Sequence, residues 1–222
     1  MATFSIIVGT SGRPSIQRTL ASIVSQLEPG DEVIVIRDDS GDAGDTPRND
    51  AMPRARGTHL LFMDDDDVYV PDALAKMRRF ADSNPGRIGI FKLEYVVGNR
   101  RWVEPELRFK NVSTQTFLVP NVPGKLGRWE RKGRIAGDFV FIEETARLQG
   151  EPIFVDEVTV LARPERNPLK RAIVRARYRL SLRTRLRSLR EGRHRIGPGG
   201  TQRGIAPGEE AGSGADQGSD QG

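Results

Sequence analysis

The sequence predicts an α/β fold of three layers, with a mostly parallel sheet between helices. Two observations carry this. Short β-branched runs alternate with segments of helical periodicity between residues 4 and 93, the strand–helix–strand rhythm of parallel sheets with right-handed crossovers. Three of those runs lead at once into polar or acidic segments, at residues 9–13, 38–39 and 64–67. Ligands of open α/β sheets bind beyond the carboxyl ends of the strands, so these three segments are expected on one rim.

The elements follow in order. Residues 4–8, Phe-Ser-Ile-Ile-Val, read as a buried strand, and residues 9–12 as a turn. Pro14 suits the first turn of a helix, in which Ile16, Leu20, Ile23, Val24 and Leu27 recur at helical spacing until Pro29-Gly30 ends it. Residues 32–37 form a second strand, and the polar, glycine-containing stretch 38–50 a loop. Residues 59–63 form a third strand that runs directly into four aspartates. Pro71 opens a second helix with Leu74, Met77 and Phe80 on one face, Asn84-Pro85-Gly86 stops it, and a fourth strand spans 88–93. A further helix is expected from Gly137 to Leu148.

Composition sets outer bounds. The 222 residues suit one domain with an appended tail. With no cysteine there is neither a disulfide framework nor a thiolate metal site. Two histidines, His59 and His194, argue against a multi-histidine metal site, and His59 reads as a strand residue rather than a ligand. No apolar run approaches the roughly 18 residues of a membrane span and no signal-peptide pattern opens the chain, so the cytoplasm is the expected compartment.

Charge is distributed unevenly. Residues 1–165 carry 22 Lys and Arg against 25 acids, whereas residues 166–195 carry 12 against one. The chain therefore divides into a nearly neutral domain at 1–165, a basic helical extension at 166–191 and a Gly-, Ser- and Gln-rich tail at 192–222, expected to be disordered. The extension places Leu169, Ile173, Ala176 and Leu180 on one helical face ringed by basic residues, a pattern suited to peripheral contact with an anionic membrane or to packing on its own domain. With Tyr178 its one aromatic residue, nucleic acid is not the expected partner.

The chemistry concentrates at Asp64, Asp65, Asp66 and Asp67. Adjacent carboxylates repel, and a divalent cation with oxygen ligands, Mn²⁺ or Mg²⁺, offsets that repulsion. A solvated acidic loop or a cluster at the start of a helix is the alternative.

In their order and spacing these motifs resemble those of family 2 glycosyltransferases of the GT-A fold. The resemblance rests on Ser5 to Thr10 with Arg13-Pro14, Val35 to Ser40, Arg48-Asn49, Ala55-Arg56-Gly57, Leu61 to Asp67 and Val68 to Asp72, and then on Gly137-Asp138-Phe139 with Phe141 to Thr145. It implies an inverting, metal-dependent transfer of one sugar from a nucleotide sugar, a UDP-sugar by preference, to a hydroxyl of a glycan or lipid-linked acceptor. By the same resemblance Thr10 and Asp39 contact the base, and Asp39 can accept from the ring N–H of uracil. Arg48 lies near the phosphates and Asp64 near the ribose. Asp65 and Asp67 help orient the same donor-binding loop, Asp66 contacts the metal, and Asp138 is the general base. Three departures accompany it. Gly12 replaces an aromatic residue, no late histidine ligand has a candidate, and the Gln-x-x-Arg-Trp signature of processive synthases is missing, which favours single-sugar transfer. Trp102, Gln115, Asn121 and Trp129 are candidate sugar contacts on the acceptor side, either tryptophan being equally suited to the core. A nucleotide-sugar-binding module without turnover is the rival reading. A nucleotidyltransferase is disfavoured by the missing lysine-containing phosphate loop.

Overall fold

The computed structural model describes residues 1–95 and 100–164, so the basic extension and the tail expected from the sequence lie outside the described residues. The elements run β1 (Phe4–Thr10), α1 (Ile16–Val24), β2 (Glu32–Arg37), α2 (Asp45–Ala51), β3 (His59–Asp64), β4 (Val68–Tyr69), α3 (Ala73–Ser83), β5 (Gly89–Glu94), β6 (Arg100–Arg101), β7 (Phe117–Pro120), α4 (Gly137–Gln149) and β8 (Ile153–Leu161). They build one sheet in the order β2-β1-β3-β7-β5-β8-β4, with β6 paired to β5. β2 and β3 flank β1 in parallel, and β8 is parallel to β5. β7 is antiparallel to both β3 and β5, and β4 is antiparallel to β8. Thus β1, β2, β3, β5 and β8 all run the same way.

Alternation along the central strands makes two cores. Phe4, Ile6 and Val8 of β1 and Leu61 and Met63 of β3 pack with Ile23 of α1 and Leu74 and Met77 of α3. On the other face Ile7, Leu60 and Phe62 pack with Ala51 of α2 and Phe141 and Ile142 of α4. Burying each such side chain contributes about 1.5–3 kcal/mol, and a one-residue slip in register would turn these residues to the opposite face. His59, buried at the start of β3, lies edge-on to Phe4 and shares a hydrogen bond with Thr58 Oγ1, and burial lowers its pKa.

The structure corrects the sequence reading in three places. The stretch 38–50 is not all loop, because α2 forms within it. No apolar periodicity announces this helix, whose buried face is Asp45, Pro47, Arg48 and Ala51. Its start is held by Asp42, whose carboxylate accepts from Gly44 N, Thr46 N and Thr46 Oγ1. Gly44 has φ 88°, and a Cβ there would run into the Arg48 guanidinium. Second, β1 continues through Gly9 to Thr10. Third, the candidate sugar contacts are structural. Trp102 is buried with Nε1 donating to Ile90 O at 3.1 Å, and Trp129 stacks on Phe141 with centroids 4.5 Å apart. Asn121 Nδ2 donates to Ala55 O and Gly57 O. Strands β4, β6, β7 and β8 complete the sheet without having been read from the sequence. Among the described residues no helix is long and apolar enough to cross a membrane.

Candidate active site

The carboxyl ends of β1, β2 and β3 meet as the motif order implies. Asp38 N donates to Thr10 O at 2.8 Å, tying the end of β2 to the end of β1. Thr10 Oγ1 donates to Asp65 Oδ2 at 2.7 Å and Ser11 N to the same oxygen at 3.2 Å, tying β1 to the acidic loop that follows β3. Thr10 Oγ1 also accepts from Gly12 N. Thr10 is therefore a brace of the rim, its hydroxyl tied to the acidic loop.

The four aspartates divide by alternation. Asp65 is fully buried, at 0% exposure, and Asp67 is nearly so. Asp65 is held by Thr10, Ser11 and Arg13. Asp67 Oδ1 accepts from Arg163 N at 2.8 Å and Oδ2 from Gln115 Nε2 at 2.6 Å, while its backbone carbonyl accepts from Thr19 Oγ1. Burial, with Asp64 adding, pushes the Asp67 carboxyl up to about 7. Asp64 and Asp66 are the two carboxylates of the run that keep solvent access. The alternation arises in a turn, with Asp67 N donating to Asp64 O at 3.3 Å across Asp65 and Asp66, and it separates loop-anchoring acids from outward ones. Asp65, expected from the resemblance to help orient the donor-binding loop, is such an anchor, and so is Asp67.

Three arginines face these four carboxylates. Arg48 Nη2 lies 2.5 Å from Asp64 Oδ1, and Nη1 donates to Ala43 O. Arg48 is itself buried, with its guanidinium 4.9 Å from the Trp129 ring centroid. Arg13 reaches Asp65 at 2.6 Å and Asp66 at 3.2 Å. Arg163 Nε is 3.5 Å from Asp66 Oδ2. Gln115, in the 3₁₀ turn Thr114–Thr116, is buried beneath the loop instead of lining an acceptor surface. Its Nε2 donates to both Asp64 Oδ2 and Asp67 Oδ2, and its Oε1 accepts from Ser113 Oγ, which fixes the amide's orientation.

Asp39 remains exposed at the end of β2, paired with the equally exposed Arg37 at 2.8 Å. Asp138 stands in the first turn of α4, half-buried, with Oδ1 accepting from Phe139 N at 2.8 Å. The buried Asp45 of α2 lies directly against Gly137, so that a Cβ at 137 would collide with its carboxylate. Burial first, then Asp42, push the Asp45 carboxyl up, against the pull of Arg48 and Arg131, and Asp138 adds to the rise. Arg48 and Asp45 thus link Asp64 to the start of α4 through adjoining charges.

Among the described residues no three His, Cys, Asp or Glu side chains gather around a point that could hold an ion. Outward carboxylates at Asp64 and Asp66 nonetheless suit a hard divalent cation of the kind bound through one or two carboxylates, with phosphate oxygens and water completing the shell. Arg163 and Asp45 carried no signal in the sequence. Arg13 stood inside a motif without a role, and Gln115 was expected at a different surface.

Residues 45–141, from α2 to the start of α4, match the model of Glycosyl transferase family 2. An uncharacterized glycosyltransferase of Haemophilus influenzae is 30% identical over 95 residues, covering 41% of this chain and 32% of that one. A poly(ribitol-phosphate) beta-glucosyltransferase of Bacillus spizizenii is 34% identical over 100 residues, covering 44% of this chain and 15% of that one. These matches thus span less than a third of either relative's length. Residues 1–349 of S. aureus TarS share the fold with TM-score 0.57 and 20% identity, over 72% of this chain and 60% of that one. The same fragment in complex with UDP-GlcNAc superposes with TM-score 0.55 at 20% identity, over 72% of this chain and 58% of that one.

Proposed function

We propose that this chain, whose residues 45–141 match the model of Glycosyl transferase family 2, is a glycosyltransferase of that family and transfers a single sugar from a UDP-sugar to an acceptor hydroxyl with inversion at the anomeric carbon. The observation that carries the reading is the alternation in the acidic loop. Asp65 and Asp67 turn inward and fix the loop, leaving Asp64 and Asp66 on the rim where the ends of β1 and β2 also arrive.

The residues divide the work. Asp39, exposed at the end of β2, accepts from the ring N–H of a uracil base. Asp64 faces the ribose and Asp66 holds a divalent cation, Mn²⁺ or Mg²⁺. Bound there, such a cation offsets the charge of the departing diphosphate. Arg48 keeps Asp64 in place and adds positive charge at the phosphates. Asp138 stands in the first turn of α4, where a helix N-terminus favours a carboxylate. It takes the proton of the acceptor hydroxyl as that oxygen forms its bond to the anomeric carbon and the bond to the diphosphate breaks on the opposite face. The donor class is the one that TarS holds in its UDP-GlcNAc complex, and the acceptor is a glycan or lipid-linked hydroxyl.

The test is incubation of the full chain with Mn²⁺, a panel of UDP-sugars and hydroxyl acceptors, reading released UDP and the product's anomeric configuration. Metal-dependent release with an inverted product supports the reading. Saturable binding of UDP-sugar with neither hydrolysis nor transfer supports a binding module instead.

A further inference from the structure

Asp66 is held by two guanidinium groups from distant parts of the chain. Arg13 follows β1 and lies 3.2 Å from Asp66 Oδ2, and Arg163 follows β8 and lies 3.5 Å from the same oxygen. The two arginine side chains are each 52% exposed, against 17% for Asp66. Arg13 also keeps a shorter contact, Nη2 to the buried Asp65 Oδ1 at 2.6 Å, so the group it can release from Asp66 is Nη1. Arg163 has φ 46°, a left-handed conformation that a non-glycine residue holds only when its surroundings impose it. What imposes it is the hydrogen bond from Arg163 N to the buried Asp67. The backbone of Arg163 is thus pinned, while its half-exposed side chain reaches Asp66 at 3.5 Å.

Two guanidinium groups on one carboxylate oxygen fill the place that a cation at Asp66 would take. A divalent ion there would stand beside two positive charges, so it can bind well only after they leave. A diphosphate supplies the partner they would leave for, since arginine binds phosphate oxygens through paired N–H groups. We infer that Arg13 and Arg163 form an exchangeable clamp: they occupy Asp66 in the empty site and pass to the donor's diphosphate when the cation arrives. Cation and nucleotide then bind cooperatively, each strengthening the other by the same factor. The inference rests on the reading of this rim as a cation- and nucleotide-binding site.

The clamp makes binding effects of opposite sign. Mn²⁺ binding is measured from the free-ion electron paramagnetic resonance signal, and UDP and uridine binding by calorimetry, for the wild type, Arg13→Ala, Arg163→Ala and the two lysine variants. Each alanine variant is expected to bind Mn²⁺ alone more tightly, by about fivefold or more, because a competitor for Asp66 is gone. Each is expected to bind UDP in the presence of Mn²⁺ about tenfold more weakly, with uridine, which lacks phosphate, unchanged. Lysine variants keep a positive charge at Asp66 and should stay close to the wild type with Mn²⁺ alone. If neither alanine variant gains Mn²⁺ affinity, the exchange is overturned. A gain in Mn²⁺ affinity in a protein that binds no nucleotide would instead keep the competition at Asp66 and remove the donor reading.

Discussion

Arg48 Nη2 stands 2.5 Å from Asp64 Oδ1 while the same guanidinium lies over the ring of Trp129. One buried side chain thus joins the acidic rim to the aromatic core between β3 and α4. Arg48→Ala is expected to lower stability by about 2 kcal/mol, from the lost charged hydrogen bond and the lost ring contact. Urea unfolding measures it, and Trp129 emission should shift as its surroundings change. Unchanged emission in a destabilised variant would place the effect elsewhere.

Asp65 and Asp66, neighbours in sequence, are expected to fail differently. Asp65→Ala leaves Thr10 Oγ1 and Ser11 N without their acceptor in a buried position, lowering stability by about 2 kcal/mol. Asp66→Ala removes one of four like charges at a partly exposed site and is expected to change stability by less than about 1 kcal/mol while abolishing transfer. Excess chelator should reproduce the second result without the first. Transfer at the wild-type rate in either Asp66→Ala or chelator would remove the cation from the proposal.

Asp138→Asn keeps the size of the side chain but cannot accept the acceptor's proton. Turnover is expected to fall about 10²–10⁴-fold with UDP-sugar affinity little changed. A parallel fall in donor affinity would assign Asp138 to binding.

Gly137→Ala tests the neighbouring contact. The added Cβ collides with the Asp45 carboxylate, and overpacking of this kind destabilises by about 1–3 kcal/mol. Asp45→Ala in the same chain should recover much of that loss, which a double-mutant cycle would show.

Acid should loosen the start of α2. Desolvation works to raise the Asp42 carboxyl, but hydrogen bonds from Ser40 and Thr46 outweigh it and draw the group down to about 2. A carboxyl lowered on folding contributes stability that is present above its unfolded value and is lost as pH falls through the folded value, so the window lies between about pH 4 and pH 2. Compared with wild type, Asp42→Asn is expected to show a flatter fall in unfolding free energy across that window. Identical slopes in the two proteins would count against the Asp42 anchor.

Much of the framework was legible in the chain. β2 was read with its observed bounds, β1, β3, β5 and α1 to within a few residues, and α4 as Gly137 to Leu148 against an observed end at Gln149. Their apolar residues recur with the period of the element, and that period depends on backbone geometry alone. The convergence of residues 9–13, 38–39 and 64–67 was equally readable, because parallel strands bring their carboxyl ends together wherever the loops lead. Helix α2 escaped because its buried face mixes Asp45 and Arg48 with Pro47 and Ala51, and because Asp42 and contacts with β1 and β2 hold it rather than an apolar stripe of its own.

The sequence by itself determined a run of four carboxylates at the end of an apolar strand, and with it the need for positive charge nearby. It could not say which carboxylates look outward. That was decided by Thr10, Gln115 and the backbone of Arg163, which reach Asp65 and Asp67 from three separate segments. The tertiary structure also sent Trp102 and Trp129 into the core and placed Arg13 and Arg163, 150 positions apart in the chain, on one oxygen of Asp66. Periodicity reports only which face of its own element a residue occupies. Which distant partner meets that face depends on how the sheet is assembled, with β7 inserted antiparallel between β3 and β5 and β8 returning alongside β5.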